Sequence, residues 1–249
     1  MKTRRIGLLI PSVNTAMEPE FYKMMPAGIT AHSARLYLTQ VDYEQWMKMF
    51  ADLERVTRDL ATARPDVIMF GCTGASFANG VGWDRKVVGM ISKVAGDIPV
   101  ITTTTAIVDA LHHLGVTNVA IATPYPADAD QRCRSFLEGS GLRVTRLQGL
   151  GIKDAAEIGY LSPQTAFDAG IQTMSSAGNA EALLILCANW RTIEVVAQLE
   201  LALGKPVITS NQATLWAALR AIGHTTPIKG YGRLLEKLGD EIPQRATAG

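Results

Sequence analysis

Charge of one sign is what this sequence most clearly lacks: 24 lysines and arginines meet 23 aspartates and glutamates, for a net charge of +1. Without a basic footprint, a nucleic-acid partner and an anionic membrane surface are both excluded as first readings. Long apolar runs are missing too. Stretches such as residues 182–187 fall far short of the ~20 apolar residues of a transmembrane helix. The chain starts Met1, Lys2, Thr3, Arg4, Arg5, but the apolar stretch that follows, residues 6–10, stops at Pro11. That is shorter than the ~7–15 residues of a secretory h-region, so a cytoplasmic location is expected. Histidine is scarce, and His32, His112, His113 and His224 have no metal-ligand spacing. A dinucleotide fingerprint fails where Asp154 stands in place of the third glycine after Gly149 and Gly151. A phosphate-binding P-loop fails where Gly204 and Lys205 run into Pro206. Nucleotide and metal enzymes are set aside, and no cofactor or metal is expected. The three cysteines, Cys72, Cys133 and Cys187, are an odd count and make no disulfide framework in a reducing compartment.

What is present is length and apolar pattern. The 249 residues, 47% hydrophobic, suffice for one large domain or two lobes of roughly 110–125 residues. Short apolar segments at 6–10, 29–36, 67–71, 100–103, 119–122, 144–147, 183–187 and 207–209 predict strands. Amphipathic segments at 43–64, 84–95, 106–114, 127–139, 163–177, 192–203 and 213–222 predict helices between them. Wholly apolar strands alternating with helices predict an α/β fold with parallel sheet covered on both faces. The chain also repeats itself: residues 99–115 and 206–223 share a strand, a polar turn, a helix and a terminal glycine, about 107 positions apart. Residues 67–72 are echoed by 183–187 at an offset of 115. Shared binary patterning alone can produce such echoes. A duplicated α/β unit explains both at once and predicts two pseudosymmetric lobes, residues 1–104 plus 213–249 and residues 105–212. Residues 244–249 are expected to fray.

Cys72 and Cys187 each stand at the carboxyl end of an apolar strand, one per lobe, and open α/β sheets bind ligands at that end. Thr73, Gly74, Ala75 and Ser76 follow Cys72 as a small-residue loop whose N–H groups could meet an anion. Ala188 and Asn189 follow Cys187 and lead toward the helix over 192–203, whose N-terminus would favour a thiolate or a carboxylate. A single cysteine reads as a small buried hydrophobe. The matched placement of these two in a repeat points to function, whereas Cys133, within a predicted helix, reads as core. After the first strand, Ser12, Asn14 and Thr15 offer hydroxyls and an amide, either to a ligand or to a helix cap. At the equivalent strand end of the second half, Tyr125 either binds a carboxylate or sits partly buried at a turn. Two thiols on opposite sides suit chemistry at a carbon beside a carboxylate. One takes a proton or adds to a double bond, and the other donates from the opposite face. Lowered thiol pKa values are expected for such work.

The ordered set Pro11-Ser12-Val13-Asn14-Thr15, Gly71-Cys72-Thr73, Ala122-Thr123-Pro124-Tyr125, Leu186-Cys187 and Gly230-Tyr231-Gly232-Arg233-Leu234 resembles a known family. It is that of the aspartate/glutamate racemase superfamily, in its maleate isomerase and arylmalonate decarboxylase branch, and the resemblance spans residues 6–238. It implies two pseudosymmetric α/β lobes around a cleft, a small carboxylate or dicarboxylate substrate, no cofactor, and a homodimer or larger homo-oligomer. In maleate isomerases the first cysteine adds to the double bond, the resulting single bond rotates, and elimination follows while the second cysteine handles the proton. Carried over, Cys72 is the nucleophile, Cys187 the acid/base, and Asn14 and Tyr125 carboxylate binders. With the residue-level reading, the expected substrate-binding set is Asn14, Ser12, Thr73, Gly74, Tyr125, Ala188 and Asn189. Ala155 stands where those isomerases usually place a substrate-binding asparagine, which counts against maleate itself. Position 155 and residues 74–82 are expected to shape the pocket. Arylmalonate decarboxylases keep only the second cysteine, with glycine at the first position, so Cys72 favours a two-thiol isomerase or racemase. Decarboxylation of a substituted malonate through Cys187 is the enzymatic alternative. A two-lobed protein that binds a small acid without converting it is the non-enzymatic one.

Overall fold

The apolar segments become parallel strands in two sheets in the computed structural model, which describes residues 3–240. The tail expected to fray, residues 244–249, lies outside that range. The first lobe runs β1 (Arg4–Pro11), α1 (Met17–Met24), β2 (Ile29–Leu36), α2 (Tyr43–Met49), a 3-10 turn (Phe50–Asp52), α3 (Leu53–Ala61), β3 (Val67–Phe70), α4 (Thr73–Phe77), α5 (Trp83–Ala95) and β4 (Val100–Thr102). The second runs α6 (Thr103–His113), β5 (Asn118–Thr123), α7 (Ala127–Gly139), β6 (Arg143–Gly149), α8 (Ala155–Tyr160), α9 (Pro163–Ser175), β7 (Ala182–Ile185), α10 (Val196–Leu203) and β8 (Val207–Thr209). It is followed by α11 (Ser210–Ala221) and α12 (Arg233–Glu236). The sheet orders, β2-β1-β3-β4 and β6-β5-β7-β8, are the same order written twice. The inner strands β3 and β7 are buried at every position, as a parallel sheet covered on both faces demands.

The repeat seen in sequence is physical. Thr102 and Thr209, 107 positions apart, both cap the following helix, accepting from the N–H of Thr105 and of Gln212. The two helices so capped, α6 and α11, pack on each other, and Thr214 donates to Thr103 Oγ1 at 3.0 Å. The lobe boundaries expected at 104/105 and 212/213 fall in the first turns of these two helices.

Three local expectations differ from what is observed. The helix predicted over 43–64 is broken by the 3-10 turn, beside which Phe50 stacks on Phe70 at 5.7 Å and meets Trp83 edge-on at 5.4 Å. The small-residue loop after Cys72 is the helix α4, with Cys72 at its N-cap. The helix predicted from 192 begins only at Val196, because the N–H groups of Thr192 and Ile193 are turned toward Glu20 in the other lobe. Among the described residues no helix is long and apolar enough to cross a membrane.

Candidate active site

The segments that follow β1, β2 and β3 in one lobe, and β5, β6 and β7 in the other, line a single small cavity. Its position is the one parallel sheets reserve for ligands, beyond the carboxyl ends of the strands. Cys72 and Cys187 both face it, one from each lobe, and both are buried free thiols. Asn14, Thr73, Gly74, Tyr125, Ala188 and Asn189 line the same space. Ser12 does not. Its hydroxyl is occupied by Leu38, donating to the carbonyl at 3.2 Å and accepting from the N–H at 3.1 Å.

The polar side chains divide into those with capacity left for a ligand and those already committed. Asn14 is fully buried. Its Oδ1 accepts from the N–H groups of Ala16 (3.1 Å) and Met17 (2.9 Å) at the start of α1, while its Nδ2 has no partner. The cap and the donor, alternatives in sequence, are thus two ends of one amide. A buried amide donor without an acceptor is costly and suits a carboxylate bound in the cavity. Asn189 is committed at both ends, accepting from Thr15 N–H and donating to Ala155 O, each at 2.8 Å. What it offers the cavity is its backbone N–H, 3.4 Å from Cys187 Sγ. The Thr73 hydroxyl is spent on Ser210 Oγ at 3.1 Å. Gly74 leaves space for Trp46, since a Cβ there would lie 2.3 Å from the indole.

The resting thiols are neutral, contrary to the lowered values expected. Burial pushes Cys72 up to about 12, against the opposing N–H groups of Ala75 and Gly74 in α4. Burial likewise pushes Cys187 up to about 11, opposed by the N–H of Asn189, the Tyr125 hydroxyl and the N–H of Trp190. Amides that favour thiolates are in place, but burial outweighs them, and the cavity lining supplies no cation. The helix N-terminus expected to act on Cys187 lies too far along the chain, at Val196. Tyr125, buried against both sulfurs, is raised well above its ordinary value by burial and then by Cys187. Cys133 lies buried within α7 and outside the cavity lining.

The roof was only partly foreseen. Leu38, Val41 and Trp46 from the first lobe meet Ala155 and Ile158 from the second. The two flaps are joined by backbone bonds from Val41 N–H to Lys153 O (2.8 Å) and from Ala155 N–H to Thr39 O (3.0 Å). Position 155 therefore shapes the cavity as expected; of residues 74–82, Gly74 reaches it. Trp46 gave no sign in sequence beyond an apolar position in a helix. Glu20 and Asn211, behind the Cys187 loop, gave none at all. Among the described residues no group of His, Cys, Asp or Glu could hold a metal ion.

Comparison with known proteins adds the chain's relatives. The family model described as arylmalonate decarboxylase matches residues 6–235. The maleate isomerase of Pseudomonas putida (strain KT2440) is 30% identical over 242 residues, covering 93% of this chain and 96% of that one. The crystal structure of the maleate isomerase Iso from Pseudomonas putida S16 superposes with a TM-score of 0.90 at 27% identity, covering 95% of this chain and 100% of that one. A mutant of Nocardia farcinica maleate cis-trans isomerase with a covalently bound succinylcysteine intermediate gives a TM-score of 0.85 at 27% identity, over 94% and 98% of the two chains.

Proposed function

The chain belongs to the arylmalonate decarboxylase family, and we propose that within it this protein is a cofactor-independent isomerase acting on a small carboxylic acid through Cys72 and Cys187. One observation carries the reading: two cysteines from equivalent strand ends of the two lobes share one cavity with an unpaired amide donor. The relative that holds a succinylcysteine intermediate supports a sulfur–carbon adduct as the working species. Cys72 gives its proton up to solvent and its thiolate adds to one carbon of the double bond, while the displaced electron pair takes a proton from Cys187 at the neighbouring carbon. Rotation about the new single bond follows. Cys187 then takes a proton back as the sulfur–carbon bond breaks, so the balance needs no cofactor, oxidant or reductant. With a saturated acid, the same pair would invert a stereocentre by removing a proton on one face and returning it on the other.

Uncharged donors must hold the substrate, because the residues lining the cavity carry no charged side chain. Asn14 Nδ2 and the backbone N–H groups beside the two cysteines would take one carboxylate. Val41, Ala155 and Ile158 offer a second carboxylate no side-chain donor, so on that side an acid with an apolar substituent fits better than maleate. Wider membership of the aspartate/glutamate racemase superfamily, assembly as a homo-oligomer and a cytoplasmic location belong to the same reading. Proton–deuterium exchange followed by NMR, over maleate, substituted malonates and 2-substituted acids, is the test. Exchange or cis–trans conversion is expected with at least one acid, and Cys72→Ser and Cys187→Ser should each reduce it by about 1,000-fold or more. Full activity in either variant would sink the two-thiol reading. The match to the arylmalonate decarboxylase model favours a second reading, decarboxylation through Cys187. Release of carbon dioxide that survives Cys72→Gly would establish it.

A further inference from the structure

Glu20 takes no part in the two-thiol chemistry, yet it is 3% exposed and its bonds cross between the lobes. It lies on α1 of the first lobe, six residues beyond Asn14. Its Oε1 accepts from the N–H groups of Thr192 and Ile193 in the Cys187 loop of the second lobe, the latter at 3.0 Å. Its Oε2 accepts from Asn211 Nδ2 at 2.7 Å, and that nitrogen also donates to Ala188 O at 3.1 Å. Both amide hydrogens of Asn211 are therefore engaged by oxygens, while its Oδ1 has no partner. Turning the amide over would set Oδ1 against two acceptors, so the carboxylate fixes the orientation of Asn211, and Asn211 in turn fixes Ala188. The nearby charges Lys23 and Glu194 pair with each other.

We propose that Glu20 is a positioning residue: from the first lobe it clamps the Cys187 loop of the second, directly at 192–193 and through Asn211 at Ala188. Strand β7 holds the chain on the near side of Cys187 and the clamp holds it on the far side. The sulfur is thereby fixed relative to Cys72. This rests on the reading of Cys187 as the acid/base thiol, although the clamp itself is a property of the loop.

Alkylation of the full chain by iodoacetamide, with each cysteine followed by mass spectrometry, tests it without any substrate. Glu20→Gln replaces one carboxylate oxygen with an amide nitrogen, which meets a donor in either orientation, Asn211 Nδ2 or the N–H groups of Thr192 and Ile193. It should open the loop and speed labelling of Cys187 about tenfold, the scale of one lost charge-assisted hydrogen bond, while Cys72 stays within about twofold. Asn211→Ala should act in the same direction. In turnover, kcat should fall with KM little changed, because positioning acts on reacting geometry. Unchanged Cys187 labelling in both variants, or equal acceleration of Cys72 and Cys187, overturns the clamp. The unsubstituted chain supplies a further arm: the Thr192 and Ile193 amides should exchange as slowly as those of β7, and exchange at loop rates overturns it too. Full turnover by Cys187→Ser would instead remove the two-thiol reading and leave the labelling result standing.

Discussion

Asn14 shows how much a single side chain can carry and how its duties can be separated. Asn14→Asp keeps the oxygen that receives the Ala16 and Met17 N–H groups and replaces the free donor with an anion. Facing a substrate carboxylate in a cavity whose lining has no charged side chain, that anion should lower kcat/KM about 100-fold, mostly through KM, with little change in thermal stability. Asn14→Ala should lose both cap and donor and melt lower. Wild-type kcat/KM in Asn14→Asp would remove Asn14 from carboxylate binding. The sequence offered Asn14 as a cap or a donor and had no means of choosing, since both readings are true. Ser12 and Asn189 were legible as polar groups at the right strand ends. Their partners were not, because Leu38 is 26 positions from Ser12 and Thr15 is 174 from Asn189. Local pattern carries no information about bonds of that range.

Elements were legible where burial sets the pattern and illegible where a tertiary contact does. The inner strands β1, β3, β5 and β7 were read from apolar runs, because a strand covered on both faces can be little else, whereas the edge strands β2 and β6 are mixed and partly exposed. The helix α4 was read as a loop because the four small residues Thr73, Gly74, Ala75 and Ser76 have no helical period. What makes the segment helical is the strand end behind it and Trp46 in front of it. A Cβ on Gly74 would fall 2.3 Å from Trp46 Cζ2 and 2.6 Å from Cε2. The indole cannot give way cheaply: it is buried and packed edge-on to Phe77 at 5.6 Å. Gly74→Ala should therefore destabilise the protein by about 1–3 kcal/mol in urea unfolding and distort the cavity wall, lowering turnover. Unchanged stability together with unchanged turnover would mean that Trp46 swings aside and is no fixed part of the roof.

At the scale of the whole molecule, two lobes built on one plan place a buried acid at the same point. Glu20 is the fourth residue of α1 and Asp130 the fourth of α7, each in the helix after the first strand of its sheet. Burial raises Glu20 from 4.5 to about 7 and Asp130 from 3.8 to about 6. The sign of the consequence follows from proton counting. Between pH 4.5 and about 7 the folded chain keeps a proton on Glu20 that the unfolded chain has released, so stability falls as pH rises through that window. Asp130 adds the same sign between 3.8 and about 6. His113, lowered by burial, works the other way, because below 6.5 the unfolded chain binds the extra proton. A wild-type pH profile mixes these terms, but the difference between wild type and Glu20→Gln isolates one of them. Urea unfolding at pH 5 and pH 7.5 should show the stability of wild type relative to Glu20→Gln dropping by on the order of 2 kcal/mol at the higher pH. A difference that does not change with pH would mean that Glu20 titrates as an ordinary surface carboxyl, in conflict with its burial. The expected result ties the two lobes together: the charged form that suits the clamp on the Cys187 loop is the form whose burial costs the fold stability.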